Sequence, residues 1–160
     1  MPRKANPNRP EYAQIIASAR EEKQISQELF GHLIGRDAAS VKKYEGGKVV
    51  PPFFVLMRIA KELSLDKELL VTLILQTENS TKWLDSALSE ADWIFSHSDI
   101  GIASLHDPER IQLQLDGKEA TCDKLEFLFK IADILQSAKE RYNQMVVSEA
   151  DSFAKSLINS

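Results

Sequence analysis

Residues 27–47, QELFGHLIGRDAASVKKYEGG, constrain this chain more than any other stretch. The pattern is that of two short helices joined by a tight turn. Phe30 and Ile34 stand four apart and share one face of the first helix. Gly31 lies on the inner side, where a bulky side chain would hold the second helix away. Gly35 supplies a turn that calls for positive φ, and so for a residue without Cβ. Asp37 is placed to cap the second helix by accepting from its free amides. Val41 and Tyr44 form the face that folds back onto Phe30 and Ile34. Ala38, Ala39, Lys42 and Lys43 remain outward, small at the entry and cationic behind. A surface of that width and charge fits a DNA major groove.

The flanking sequence extends the helical pattern. Pro10 opens a helix whose apolar stripe is read as Ile15, Ile16 and Ala19. Ser26 is a candidate N-cap for the helix that begins at Gln27. Gly46 and Gly47 end the third helix, and Pro51 and Pro52 start a fourth. In that fourth helix Phe53, Leu56, Ile59, Ala60 and Leu63 recur at helical spacing. Asp66 caps a fifth, expected over 67–76, with Leu69, Leu70, Leu73 and Ile74 as its apolar surface.

These residues carry a family resemblance. Ser26-Gln27-Glu28, Gly35, Val41, Tyr44 and Glu45-Gly46-Gly47-Lys48 resemble the helix-turn-helix of the XRE family, the lambda repressor and Cro class. Residues 19–23 resemble the end of that family's first helix, and residues 51–65 its fourth, so the likeness covers about residues 10–75. The resemblance implies a lambda-repressor-like five-helix DNA-binding domain over 11–76. It implies that Gln27, at the positive end of the second helix, clamps a phosphate oxygen with its amide. Gly31 stands where relatives usually carry Ala, a change expected to matter little. Ala38 and Ala39 stand where relatives often carry side chains that read base edges, so specificity is expected to lean on Ser40, Lys43 and DNA shape. Arg36 and Lys48 complete the expected DNA-facing set.

Charge is distributed to suit that reading. The chain carries a net charge of −4, yet residues 1–50 carry +3 and residues 51–160 carry −7. A basic head on an acidic body is expected where one face alone meets phosphate. Residues 1–10 hold three prolines with Arg3, Lys4 and Arg9, and are read as a basic flexible arm that follows phosphates or a minor groove.

Beyond the head, residues 77–80 read as a linker or sharp turn and 81–96 as a sixth helix carrying Trp83 and Trp93, which belong to the core or an interface, with the core preferred. Residues 97–108 read as irregular. Residues 110–115 alternate around Ile111, Leu113 and Leu115, Asp116-Gly117 is a two-residue turn signal, and 118–122 would be the return strand of a short β-hairpin. Asp123 caps a helix expected over 124–146, and a separate last helix is expected over 148–158. The fold class is therefore mainly α: the five-helix head, then a mostly helical C-terminal region, 77–160, with a hairpin. The stripe of Leu125, Leu128, Phe129, Ile131, Ala132, Ile134 and Leu135 is wider than one wet-faced helix needs, which points to a homodimer.

Other chemistry is weak. His32, His97, His106 and Cys122 have no metal-ligand spacing, and no phosphate loop, dinucleotide fingerprint or nucleophile elbow occurs. No enzyme activity, metal or cofactor is expected. A lone cysteine fits a reducing cytoplasm, and no apolar run is long enough to span a bilayer. The expected function is a sequence-specific, dimeric DNA-binding transcription regulator, a repressor by family habit, on a palindromic operator in double-stranded DNA. Two alternatives stay open: an antitoxin-type regulator whose C-terminal region binds a toxin protein, and a protein-interaction module on the same fold.

Overall fold

The computed structural model describes residues 8–78, 80–94, 101–104 and 109–158. Among these the chain is mainly helical with one small antiparallel sheet. The elements are α1 (Glu11–Glu22), α2 (Gln27–Ile34), α3 (Ala38–Glu45), α4 (Phe53–Glu62), α5 (Lys67–Leu75), α6 (Ser80–Ile94), β1 (Gly101–Ser104), β2 (Arg110–Leu115), β3 (Lys118–Asp123) and α7 (Lys124–Ile158). None of the described helices is long and apolar enough to cross a membrane.

The chain divides into two compact units, residues 1–89 and 90–160. The division falls inside α6, and Trp83 belongs to the first unit. Its indole Nε1 donates to the Pro51 carbonyl at 2.7 Å, and its ring lies 5.5 Å from that of Phe53. A buried indole with its one donor satisfied ties the first turns of α6 to the head.

α2 and α3 have eight residues each. Isolated helices below roughly 12–15 residues are marginal in water, so packing must hold them. Phe30, Ile34, Val41, Leu56, Ile59 and Ile74 are fully or almost fully buried. Each such side chain contributes about 1.5–3 kcal/mol relative to exposure. Caps set the starts. Ser26 Oγ accepts from the Leu29 amide at 3.1 Å, and Asp66 Oδ1 from Glu68 and Leu69 at 3.0 and 3.3 Å. Two expected faces are rotated. The buried stripe of α1 is Tyr12, Ala13, Ile16 and Ala17, while Ile15 and Ala19 are half-buried. On α5 it is Leu70, Val71 and Ile74 that are buried, and Leu69 is 46% exposed.

In the second unit the strands run in the order β1-β2-β3, all antiparallel. β1 lies within the stretch expected to be irregular. Four residues beginning with glycine give no strand signal alone, and pairing with β2 sets their conformation. Asp116 and Gly117 both have positive φ, 50° and 78°, as a two-residue hairpin turn requires. Along one face of β2, burial falls from Ile111, fully buried, through half-buried Leu113 to Leu115, 45% exposed. Asp123 Oδ1 accepts from the Glu126 amide at 3.0 Å and starts α7. α7 is a single helix of 35 residues, not two. No glycine or proline occurs between 124 and 158, and Val146-Val147 lowers helix propensity only slightly. Leu128, Ile131 and Ala132 are buried, whereas Ile134 and Phe153 are exposed. Trp93, expected in the core, is 77% exposed.

Candidate nucleic-acid interface

The turn between α2 and α3 is fixed by three residues. Gly35 closes α2 in the left-handed region, φ 72° and ψ 32°, with its amide directed at the carbonyls of Gly31 and His32. Asp37 takes an extended conformation, and its Oδ1 accepts from the Ser40 amide at 2.8 Å. Hydrogen bonding from the Ser40 side chain, then from its backbone, holds the Asp37 carboxyl below the usual carboxylate range, with Lys43 adding a smaller attraction. Gly31 matters more than the resemblance implied. A Cβ there would lie 2.6 Å from the Arg36 carbonyl oxygen and 3.1 Å from two backbone atoms of Asp37. These are backbone atoms of the turn itself and cannot move aside as a side chain would.

Two arginines brace this unit. Arg58 on α4 donates from Nη2 to the Leu33 carbonyl at 3.0 Å, satisfying an acceptor that the end of α2 leaves open. Arg20 on α1 donates through Nε and Nη2 to the two carboxylate oxygens of Glu45, and through Nη1 to the Ile25 carbonyl at 2.7 Å. Glu45, at the end of α3, is only 4% exposed. Its hydrogen bond, then its charge, raise the Arg20 guanidinium's pKa against the opposing effect of burial. Gln27 joins them, its Nε2 donating to Glu45 Oε2 at 2.9 Å. One carboxylate thus links α1, the start of α2 and the end of α3.

The sequence-predicted residues divide into three groups. Ala39, Lys42 and Lys43 are exposed on α3, opposite buried Val41, Tyr44 and Glu45, and Ala38 is half-buried at its start. Arg36 and Lys48 are exposed at the two ends of the same helix, and Arg36 Nη1 donates to the Gly35 carbonyl at 3.1 Å. Gln27 and Ser40 form the second group. The Gln27 side chain is engaged with Glu45, and Ser40 is half-buried beside the exposed Asp37, to which its amide donates. The expected Gln27 clamp is therefore reduced to the amide hydrogen that Glu45 does not take. Arg3 and Lys4 make the third group and lie outside the described residues.

A recess of about 420 Å³ beside the turn is lined by His32, Gly35, Arg36, Asp37 and Ser40. The Asp37 carboxylate opposes a phosphate seated there. Among the described residues no group of three His, Cys, Asp or Glu side chains could hold a metal ion. His97 and His106 lie outside the described residues. Comparison with protein families, with characterised proteins and with solved structures gives no match.

The sequence reading missed the Arg20–Glu45 pair, although its positions carried a signal. Glu45 lies four residues beyond buried Val41, and Arg20 four beyond buried Ile16. Both charges therefore sit at core-facing helical positions, where a charge needs a partner.

Proposed function

We propose that this chain is a sequence-specific DNA-binding transcription regulator of the lambda-repressor-like, XRE type, acting as a dimer on a two-fold-related site. One observation carries the reading. α3 presents Ala39, Lys42 and Lys43 outward from a helix whose other face is buried, on a turn fixed by Gly35 and Asp37. Small residues permit close approach to base pairs and contact with thymine methyl groups, while the flanking cations of α3 and its ends meet phosphate. Repression is the simplest action for such a head, through occupancy of the site. Dimerisation is assigned to the C-terminal unit. α7 is about 52 Å long at 1.5 Å per residue, against about 20 Å for the six-residue strand β2. Exposed Ile134, Phe153 and Ile158 lie along it.

The test is selection of DNA from a random pool by the full chain, followed by gel shifts across salt concentrations. Lys42→Ala and Lys43→Ala should weaken binding, and loss of a phosphate contact should lower the salt slope by roughly one unit. Unchanged affinity and slope in both variants, or no enriched sequence, would refute the reading.

A further inference from the structure

We propose that the outer face of α1 is a docking groove for a basic amphipathic helix of a partner protein. Glu11, Gln14, Ile15, Ser18, Ala19 and Glu22 recur at helical spacing and line one side, and Leu65 closes the other. The groove holds about 510 Å³. Its floor is the half-buried trio Ile15, Ala19 and Leu65, and its exposed rim carries a carboxylate at each end. No cation lines it. It shares no residue with the candidate DNA surface, so this inference stands apart from the DNA-binding reading.

Geometry selects the occupant. Glu11 and Glu22 are eleven residues apart on one helix, about 16 Å along its axis. That is the length of three turns of a second helix laid in the groove. One wall is the helix α1 and the other is Leu65 in the connection between α4 and α5, whose amide is taken by the Ala60 carbonyl at 2.8 Å. Neither is an open strand edge, so an extended segment would leave its own amides unpaired; a helix satisfies them internally. The matching helix carries leucine or isoleucine at helical spacing and a lysine or arginine at each end. A second copy of this chain, docking by the same face, would set carboxylates against carboxylates across a two-fold axis. Nucleic acid is disfavoured by the same charges.

The experiment pans a displayed library of helix-forming peptides against the full chain. The recovered consensus is then synthesised and its binding followed by fluorescence anisotropy. The expected consensus has apolar residues on one face between cationic ends. Glu11→Lys with Glu22→Lys, both at exposed positions, should weaken that peptide at least ten-fold with the helical circular dichroism unchanged. A peptide with glutamates in place of its end cations should bind the reversed variant instead. The proposal is overturned if no peptide is recovered, if the consensus lacks cationic ends, or if binding ignores the charge reversal. It is equally overturned if the full chain self-associates through this face, seen as an oligomer that the double reversal dissociates in sedimentation.

Discussion

Glu45→Ala should be the most damaging single polar substitution in the head. The carboxylate accepts from Arg20 Nε, Arg20 Nη2 and Gln27 Nε2. The pair is shielded from water, with side-chain exposures of 11% for Arg20 and 5% for Glu45. Removing one partner of a buried pair costs about 3–5 kcal/mol, mainly because the other charge stays buried without compensation. Arg20 keeps some contact with water and its bond to the Ile25 carbonyl, so the lower end, about 3 kcal/mol, applies. For a unit of this size each kcal/mol moves the melting temperature by about 4–8 °C, giving a fall of about 12–24 °C. The measurement is urea unfolding followed by Trp83 fluorescence in a Trp93→Phe background, since Trp83 is buried in the same unit. A double-mutant cycle isolates the pair: in an Arg20→Ala background the same substitution should cost about 1 kcal/mol, a coupling of about 2. A cost below about 1 kcal/mol in the wild-type background, or one that Arg20→Ala leaves unchanged, would show that the network contributes nothing.

Three further outcomes follow from particular contacts. Gly31→Ala gains about 1 kcal/mol in helix propensity but forces a methyl against the turn backbone, an overpacking cost of about 1–3 kcal/mol; the net loss should appear as a lower melting temperature, and a rise would refute the contact. Residues 1–89 should fold alone, whereas residues 1–76 lose Trp83, whose buried type of packing is worth about 3–5 kcal/mol, so equal urea midpoints for the two fragments would disprove the α6 boundary. Burial pushes the Cys122 thiol pKa up against the opposing charge of Arg110, with Glu126 and Asp123 adding smaller upward contributions. Its folded pKa exceeds its unfolded one, so the thiolate fraction near pH 8 is smaller in the folded chain, and alkylation should be slower than after unfolding in urea and accelerate only at higher pH.

Local rules made part of this fold legible. The Gly35 turn, the Ser26, Asp37, Asp66 and Asp123 caps and the Asp116-Gly117 hairpin turn each depend on a few adjacent residues. What escaped depends on partners far along the chain. The stripe of α1 was rotated because two isoleucines are adjacent and only one can face inward, and Tyr12 has a polar atom yet is 2% exposed. A phenol brings a large apolar ring to the core while its hydroxyl raises no alarm in a periodicity count. Burial raises the Tyr12 pKa accordingly. β1 was missed because a four-residue strand is specified by its neighbour. The expected break after residue 146 does not occur, because no glycine or proline interrupts residues 124–158.

The candidate site shows the same division, with a functional consequence. Spacing identified which face of α3 points outward, but not which polar side chains are already in use. Gln27 is turned toward Glu45, so it lacks its full donor set for a ligand, and Ser40 is half-buried beside the Asp37 cap. On the outward face this leaves exposed Ala39, Lys42 and Lys43, with Ala38 half-buried. A good bidentate contact to a base is worth about 1–3 kcal/mol of discrimination, and alanine makes none. Under the proposed function, one head therefore discriminates weakly by direct contact, and DNA shape must supply part of the specificity. Affinity then depends on joining two heads, because the second half-site is met at a high effective concentration. The prediction is asymmetric. Phe153→Glu with Ile158→Glu, at exposed positions on α7, should leave the melting of the head unchanged while converting the full chain from dimer to monomer in sedimentation equilibrium. Operator affinity should fall by the factor that avidity supplies, about 10²–10⁴. A variant that is monomeric yet binds as tightly as the parent would show that a single head suffices, and would move the source of affinity back to α3 and its flanking cations.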